Sequence, residues 1–306
     1  MKAIAYKVLN SISELHTLLN LKKPSHPLIS VVNADDVDMT TVKITEPVVF
    51  NFYVVNLKKN CQGKIRYGQQ YYDFDEGVMT FVSPSQRLEI EESSADVPIE
   101  KPDGWMLVFH PDLIQGFPLA KKIKEYGFFS YAVNEALHLS DKEDILITGI
   151  IENIKDEIEL NIDHFTQDVI VSHLDLLLNY SNRFYNRQFI TRKKASSDLL
   201  VQFEELLNEH FLNTENSELP TVQYFAKKLF VSSHYLNDML KSLTGQTTQQ
   251  HIQNHIIEKA KELLSTTNLS ISEIAYQLGF EYSQSFNKLF KKKTNTTPME
   301  FRQSFN

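Results

Sequence analysis

Cysteine is nearly missing: Cys61 is the only one in 306 residues. That excludes an intramolecular disulfide and a thiolate metal cluster, and a reducing, cytoplasmic compartment fits. Long apolar runs are missing as well. Nowhere do 18 apolar residues follow one another, and the N-terminal MKAIAYKVLNSISEL holds no continuous apolar stretch of the kind an export signal needs. Neither a membrane span nor secretion is expected. Histidine is scarce where a metalloenzyme would use it, because His110 is the single histidine between Pro27 and Leu137. A three-histidine metal site cannot be built there. No nucleophile is paired with a base at readable spacing, and Cys61, between Asn60 and Gln62, has no activating neighbour. The sequence thus predicts no metal, no cofactor and no catalytic residues.

What is present is globular, with 42% hydrophobic, 23% charged and 11% aromatic residues, enough to build a buried core. The net charge of -8 argues against nucleic acid until its distribution is considered. Residues 221–306 hold ten Lys and Arg against six Asp and Glu, and the acidic excess lies in the rest of the chain. An acidic body carries a mildly basic C-terminal part, which supports a nucleic-acid partner only alongside other signals.

From Pro27 to about Pro118, short apolar and β-branched runs (ISVV, VVFNFYVVNL, VMTFV, RLEIE, WMLVF) alternate with turn-forming clusters. That spacing predicts a β sandwich or small barrel. Helical periodicity then takes over. Ile147, Ile150, Ile151, Ile154 and Ile158 share one face of a helix starting near Asp141, and a second helix is expected over about 166–187. In the second, Ile170, Leu174, Leu177, Ser181 and Phe184 step by 4, 3, 4, 3. This is the rhythm of a coiled-coil seam, and equally of a stripe that packs onto the chain's own β region or neighbouring helix. FITRKKASSD, Phe189 to Asp198, has the composition of a linker.

Beyond it the chain repeats itself. Val222, Phe225, Ala226 and Leu229 reappear as Ile271, Ile274, Ala275 and Leu278, offset by 49; Leu236, Met239 and Leu240 reappear as Phe286, Leu289 and Phe290, offset by 50. Each copy reads as two short helices joined by a tight turn. Ser270-Ile-Ser-Glu273 is a capping box, and Gly279 suits the left-handed residue that ends the helix. Two such helices form a helix-turn-helix, or alternatively a hairpin of a bundle whose polar face is merely solvated. The second helix of each copy leaves one face polar: Ser233, His234, Asn237 and Lys241 in the first, Ser283, Gln284, Asn287, Lys288 and Lys291 in the second. Asn and Gln suit adenine, and Lys suits guanine or phosphate. Between the copies a helix over about 248–266, with Ile252, Ile256, Ala260, Leu263 and Leu264 on one face, spans roughly 27 Å at 1.5 Å per residue. Such a rod suits two helices reading successive major grooves.

The stretch from Thr221 to Arg302 resembles the DNA-binding domain of the AraC/XylS family of bacterial transcription regulators, through AKELL (260–264), ISEIAYQLGF (271–280), SFNKLFKKKT (285–294) and TPMEFR (297–302). Three positions depart from the family pattern: Asp238 where Arg is frequent, Ile256 in place of a common Arg, and Asn295 in place of a common Gly. An acidic side chain near phosphates weakens binding. Tyr67 to Gln86 is similar to cupin-like effector domains of such regulators, and Leu176 to Lys194 resembles their helical connector. The resemblance implies an α+β chain of three parts. Residues 1–137 form a cupin-like β barrel that senses a small molecule; 138–190 form a helical connector that makes a homodimer through Leu174, Leu177, Ser181 and Phe184; 191–306 form an all-α domain with two helix-turn-helix motifs. It also implies promoter DNA and RNA polymerase as partners, and the role of an activator. Arg66, Tyr72 and Trp105 are candidates to line the effector pocket. The competing classes are a metal-free cupin-like enzyme or a ligand-binding scaffold with a helical tail.

Overall fold

The computed structural model describes residues 7–38, 48–59, 61–67, 70–74, 77–86, 103–132, 135–160, 162–191, 193–212 and 218–304. The chain divides into two units, Met1–Gln188 and Phe189–Asn306. Among the described residues no helix is long and apolar enough to cross a membrane.

The first unit mixes sheet and helix. Its strands are β1 (Lys7–Leu9), β2 (Ile29–Asn33), β3 (Val48–Phe50), β4 (Tyr53–Lys59), β5 (Cys61–Tyr67), β6 (Gln70–Phe74), β7 (Val78–Val82), β8 (Asp103–Phe109) and β9 (Leu137–His138). Helix α1 (Ile12–Leu18) follows β1, and α2 (Leu119–Lys122), α3 (Asp141–Glu159) and α4 (Thr166–Thr191) come later. Four of the five apolar runs are strands; RLEIE lies outside the described residues. Five strands pair antiparallel in the order β2-β8-β4-β7-β9. The expected closed barrel is not seen among the described residues. β1 pairs with β3 and β5 with β6 in separate two-stranded sheets, leaving the five-stranded sheet open.

Val54 and Val55 point to opposite faces of β4 and both are buried, so the sheet is covered on both sides. One face packs with Leu9, Ile12, Leu15 and Phe52. The other carries an aromatic layer: Phe81 lies 4.5 Å from Phe128, which stacks 5.5 Å from Tyr185 of α4. Gly104 opens β8 at φ +132°, and a Cβ there would lie 2.1 Å from the Leu57 carbonyl oxygen. Only glycine permits that approach.

Helix α3 forms as its pattern predicts, and the five isoleucines of the predicted face, Ile147, Ile150, Ile151, Ile154 and Ile158, are buried. Helix α4 is held to the first unit along its length. Gln167 donates to the Leu113 carbonyl (2.7 Å), Lys122 pairs with Asp175 (2.8 Å), and Tyr126 donates to Asn179 (3.1 Å). Arg187 makes two bonds to Glu143 (3.0 and 2.7 Å), and Gln188 binds both the His138 N–H and the Ala136 carbonyl. This docking turns the seam inward. Leu174, Leu177 and Ser181 are fully buried and Phe184 nearly so, with Ser181 bonding back to the Leu177 carbonyl. The seam is therefore an internal packing stripe, not a surface for a second subunit. The described residues within 189–198 are helical, not a loop. α4 continues to Thr191 and α5 (Lys193–Leu212) begins two residues later, because Ala, Lys and Ser tolerate helix well and Phe189 is buried against Tyr235, 5.2 Å away.

The second unit continues with α6 (Val222–Lys228), α7 (Ser233–Thr244), α8 (Thr248–Thr266), α9 (Ile271–Gln277), α10 (Ser283–Thr294) and α11 (Pro298–Gln303). The repeat is longer than its apolar pattern suggests. Thr244 and Thr294 each donate to the carbonyl four residues back; Gly245 and Asn295 are both left-handed, at φ 75° and 62°. Thr247 with Gln250, and Thr297 with Glu300, then form capping boxes that start α8 and α11. Asn295 therefore fills the glycine position without difficulty, since Asn tolerates this conformation. Gly279 ends α9 at φ +88°, as expected, and lies so close to the Glu218–Leu219 backbone that a Cβ would sit 2.8 Å from it.

Because Leu177 is buried in its own chain, Leu177→Glu is expected to destabilise the first unit by about 4 kcal/mol or more, by enclosing an unpaired carboxylate. Urea unfolding followed by circular dichroism checks this; a variant as stable as the parent contradicts the packing. A second expectation concerns pH. Burial holds His251 and His255 of α8 below the ordinary histidine value of 6.5, only partly countered for His251 by Glu204 and reinforced for His255 by Lys259. The unfolded chain then takes up protons that the folded unit refuses, so stability present above pH 6.5 is lost as pH falls through that value. Melting between pH 7.5 and 5.5 should show a decline that His251→Gln/His255→Leu flattens. His26 of the first unit, also lowered by burial, contributes a decline the double variant leaves in place.

Candidate nucleic-acid interface

Helices α7 and α10 are each anchored by one apolar side. Leu236, Met239 and Leu240 are fully buried, as are Phe286 and Phe290, whose rings pack 5.8 Å apart. Leu289 is only half-buried. With that side fixed, the 3.6-residue period sends the remaining positions outward. On α10, Gln284, Asn287, Lys288 and Lys291 are exposed and Ser283 half-exposed, so the five residues the sequence singled out form one polar face. Lys291, Lys292 and Lys293 occupy the last turn, where the partial negative charge of the helix end favours cations.

The equivalent face of α7 differs. His234 and Lys241 are exposed and Ser233 is half-buried, but Asn237 is tied down. Its side-chain carbonyl accepts the Thr248 N–H (3.3 Å) and its amide donates to Asp238 (3.3 Å). The spacing rule puts Asn237 and Asn287 at the same place on the two helices; the bonds of the first distinguish them. Tyr282 is a residue the pattern gave no role. It is the N-cap of α10, 58% exposed, and makes no side-chain capping bond, whereas Ser232 caps α7 by accepting from the Tyr235 N–H (3.1 Å). The sequence signal was available: a tyrosine stands where the first copy has serine.

Of the three candidate effector residues, Trp105 has a described side chain. Trp105 is 7% exposed, on the inward face of β8, with no partner for its ring N–H among the described residues. The side chains of Arg66 and Tyr72 lie outside the described part. A cavity of about 450 Å³ lies beside α1 and β2, lined by residues including His16, Ser30, Val32, Lys155 and Ile158. There the His16 ring bonds the Lys22 carbonyl through Nδ1 and accepts from the Ser30 hydroxyl at Nε2 (2.9 Å). No group of residues that could hold a metal occurs among the described residues.

Comparison with known proteins agrees with this geometry. The helix-turn-helix domain family matches residues 225–304. The chain is 32% identical over 126 residues to histidine kinase P4 of Formosa agariphila, covering 40% of the chain and 9% of that protein. It is 28% identical over 138 residues to the HTH-type transcriptional activator RhaS of Escherichia coli O139:H28, covering 45% of the chain and 46% of RhaS. The HTH-type regulator YfiF of Bacillus subtilis is 29% identical over 144 residues, with 47% and 43% covered. The chain thus spans less than half the length of each of these relatives. The apolar stripes, the doubled caps and turns, and the family match extend together over both copies, and the C-terminal unit carries a helix-turn-helix domain.

Proposed function

We propose that this chain is a sequence-specific DNA-binding regulator of transcription, with α10 and α7 as its recognition helices. The observation that carries the reading is the exposed face of Gln284, Asn287, Lys288 and Lys291 on a helix whose opposite side is fixed by Phe286 and Phe290. Such a face matches the donors and acceptors of the major groove. The likeness to RhaS, described as a transcriptional activator, supports activation; promoter DNA and RNA polymerase are the partners this reading entails. The first unit, by its resemblance to cupin-like effector domains, senses a small molecule without metal; the cavity beside α1 is a candidate site for it. Dimerisation is retained with another surface. Ile162, Phe165, Val169 and Leu176 are exposed apolar residues on and just before α4, on the side away from the buried seam.

Gln284 and Asn287 lie toward the start of α10, where recognition helices touch base edges, and Lys291 lies in its last turn, nearer phosphate. Asn287→Ala should therefore cost about 1–3 kcal/mol on a selected duplex and much less on random DNA. Lys291→Ala should weaken both alike and reduce the salt slope by about one. Titrations of both duplexes at several salt concentrations check this; equal losses for Asn287→Ala on the two would remove α10 from the groove. For the dimer, Leu176→Glu places a charge at a position 43% exposed, so the fold should survive while sedimentation shows a dimer turned monomer. A monomeric parent, or a variant that stays dimeric, overturns that surface.

A further inference from the structure

The repeat supplies an internal control: a bond found in both copies serves the shared fold, and one found in a single copy serves something else. The tie between Asn237 and the Thr248 N–H is of the second kind. Its counterpart in the second copy would join Asn287 to residue 298, and Pro298 has no N–H to give. Asn287 is exposed accordingly, while Asn237 is half-buried with both ends of its amide engaged, one by α8 and the other by Asp238. Lys288 takes the place of Asp238 in the second copy, so the exposed asparagine stands beside a cation instead of a carboxylate.

Resting on the DNA-binding reading, we propose that the two asparagines have different jobs, decided by the residue at the first position of the following helix. Asn287 reads a base. Asn237 is a positioning residue that clamps α7 to the start of α8, so α7 orients the domain on the DNA without an asparagine contact to base edges. The substitution that reverses this is Thr248→Pro. Proline is well accepted at the first position of a helix, and the Thr248 hydroxyl it removes is buried without a partner among the described residues. It takes away the N–H that holds Asn237 and recreates the Thr-Pro of residues 297–298.

The test uses the full-length protein and a duplex selected by it from a random library, with the segments under α7 and α10 scrambled in turn. In the parent, Asn287→Ala should lower discrimination at the α10 segment about tenfold. Asn237→Ala should leave the ratio of intact to α7-scrambled affinities unchanged. In Thr248→Pro that ratio should change severalfold, and adding Asn237→Ala should return it to the parent value. Hydrogen exchange at the Thr248 amide, measured without DNA, should rise at least tenfold in Asn237→Ala while the Gln250 amide, held by Thr247, keeps its protection. The proposal is overturned if Asn237→Ala in the parent erases discrimination at the α7 segment, if Thr248→Pro leaves it unaltered, or if the Thr248 amide exchanges equally with and without Asn237. Failure of the parent to select any duplex would instead overturn the DNA-binding reading, with the exchange measurement still judging the clamp.

Discussion

Burial of Phe286 and Phe290 decides which side of α10 meets water, and the same holds for Leu236, Met239 and Leu240 on α7. A twelve-residue helix cannot rotate once two rings are enclosed, because removing either from a packed core costs about 3–5 kcal/mol. Everything proposed for recognition follows from that fixed rotation. The polar residues are offered to a partner as a set, in an order along the helix set by rise and period. Aromatic contacts between Phe280 and Phe286 (5.5 Å) and between Phe290 and Phe301 (5.5 Å) brace this anchor from α9's end and from α11.

The two copies agree in what holds a helix-turn-helix together and differ at its edges. In both, the N–H after the turn bonds back across it, Val231 to Ala226 at 3.0 Å and Phe280 to Ala275 at 2.9 Å. The left-handed residue in that turn is Phe230 in one and Gly279 in the other. The difference has a steric cause. The Glu218–Leu219 backbone crowds Gly279 and forbids a side chain, whereas Phe230 is largely exposed and needs no such room. Lys293 donates to Asn254 of α8, which donates in turn to Gln246 (both 2.9 Å); the first copy has Leu243 at the matching position and no such chain. Shared bonds keep the motif, and unshared ones adapt each copy to its neighbours.

The first unit uses polar bonds to choose a helix face in the way the second uses aromatic rings. Glu143 accepts the Ser140 N–H at the start of α3 and also receives Arg187 of α4, so one carboxylate both starts a helix and docks another. A group with two such partners fixes geometry more tightly than the apolar stripe alone, whose rhythm fits several neighbours.

The sequence by itself determined the doubled apolar pattern, the span of α8, the isoleucine face of α3, the left-handed Gly279 and the polar set on α10. These are local properties: period, cap and turn chemistry act within a few residues, and nothing distant overrides them. Tertiary structure alone decided the rest. The 4, 3, 4, 3 seam of α4 is compatible with a partner subunit or with the chain's own interior, and only Gln167, Asp175, Asn179 and Arg187 bonding to distant segments turn it inward. Sheet closure was equally out of reach, because it depends on which edge each strand finds. The contrast between Asn237 and Asn287 was written at Thr248 and Pro298, but its meaning needed the eleven-residue contact that brings Asn237 to the start of α8.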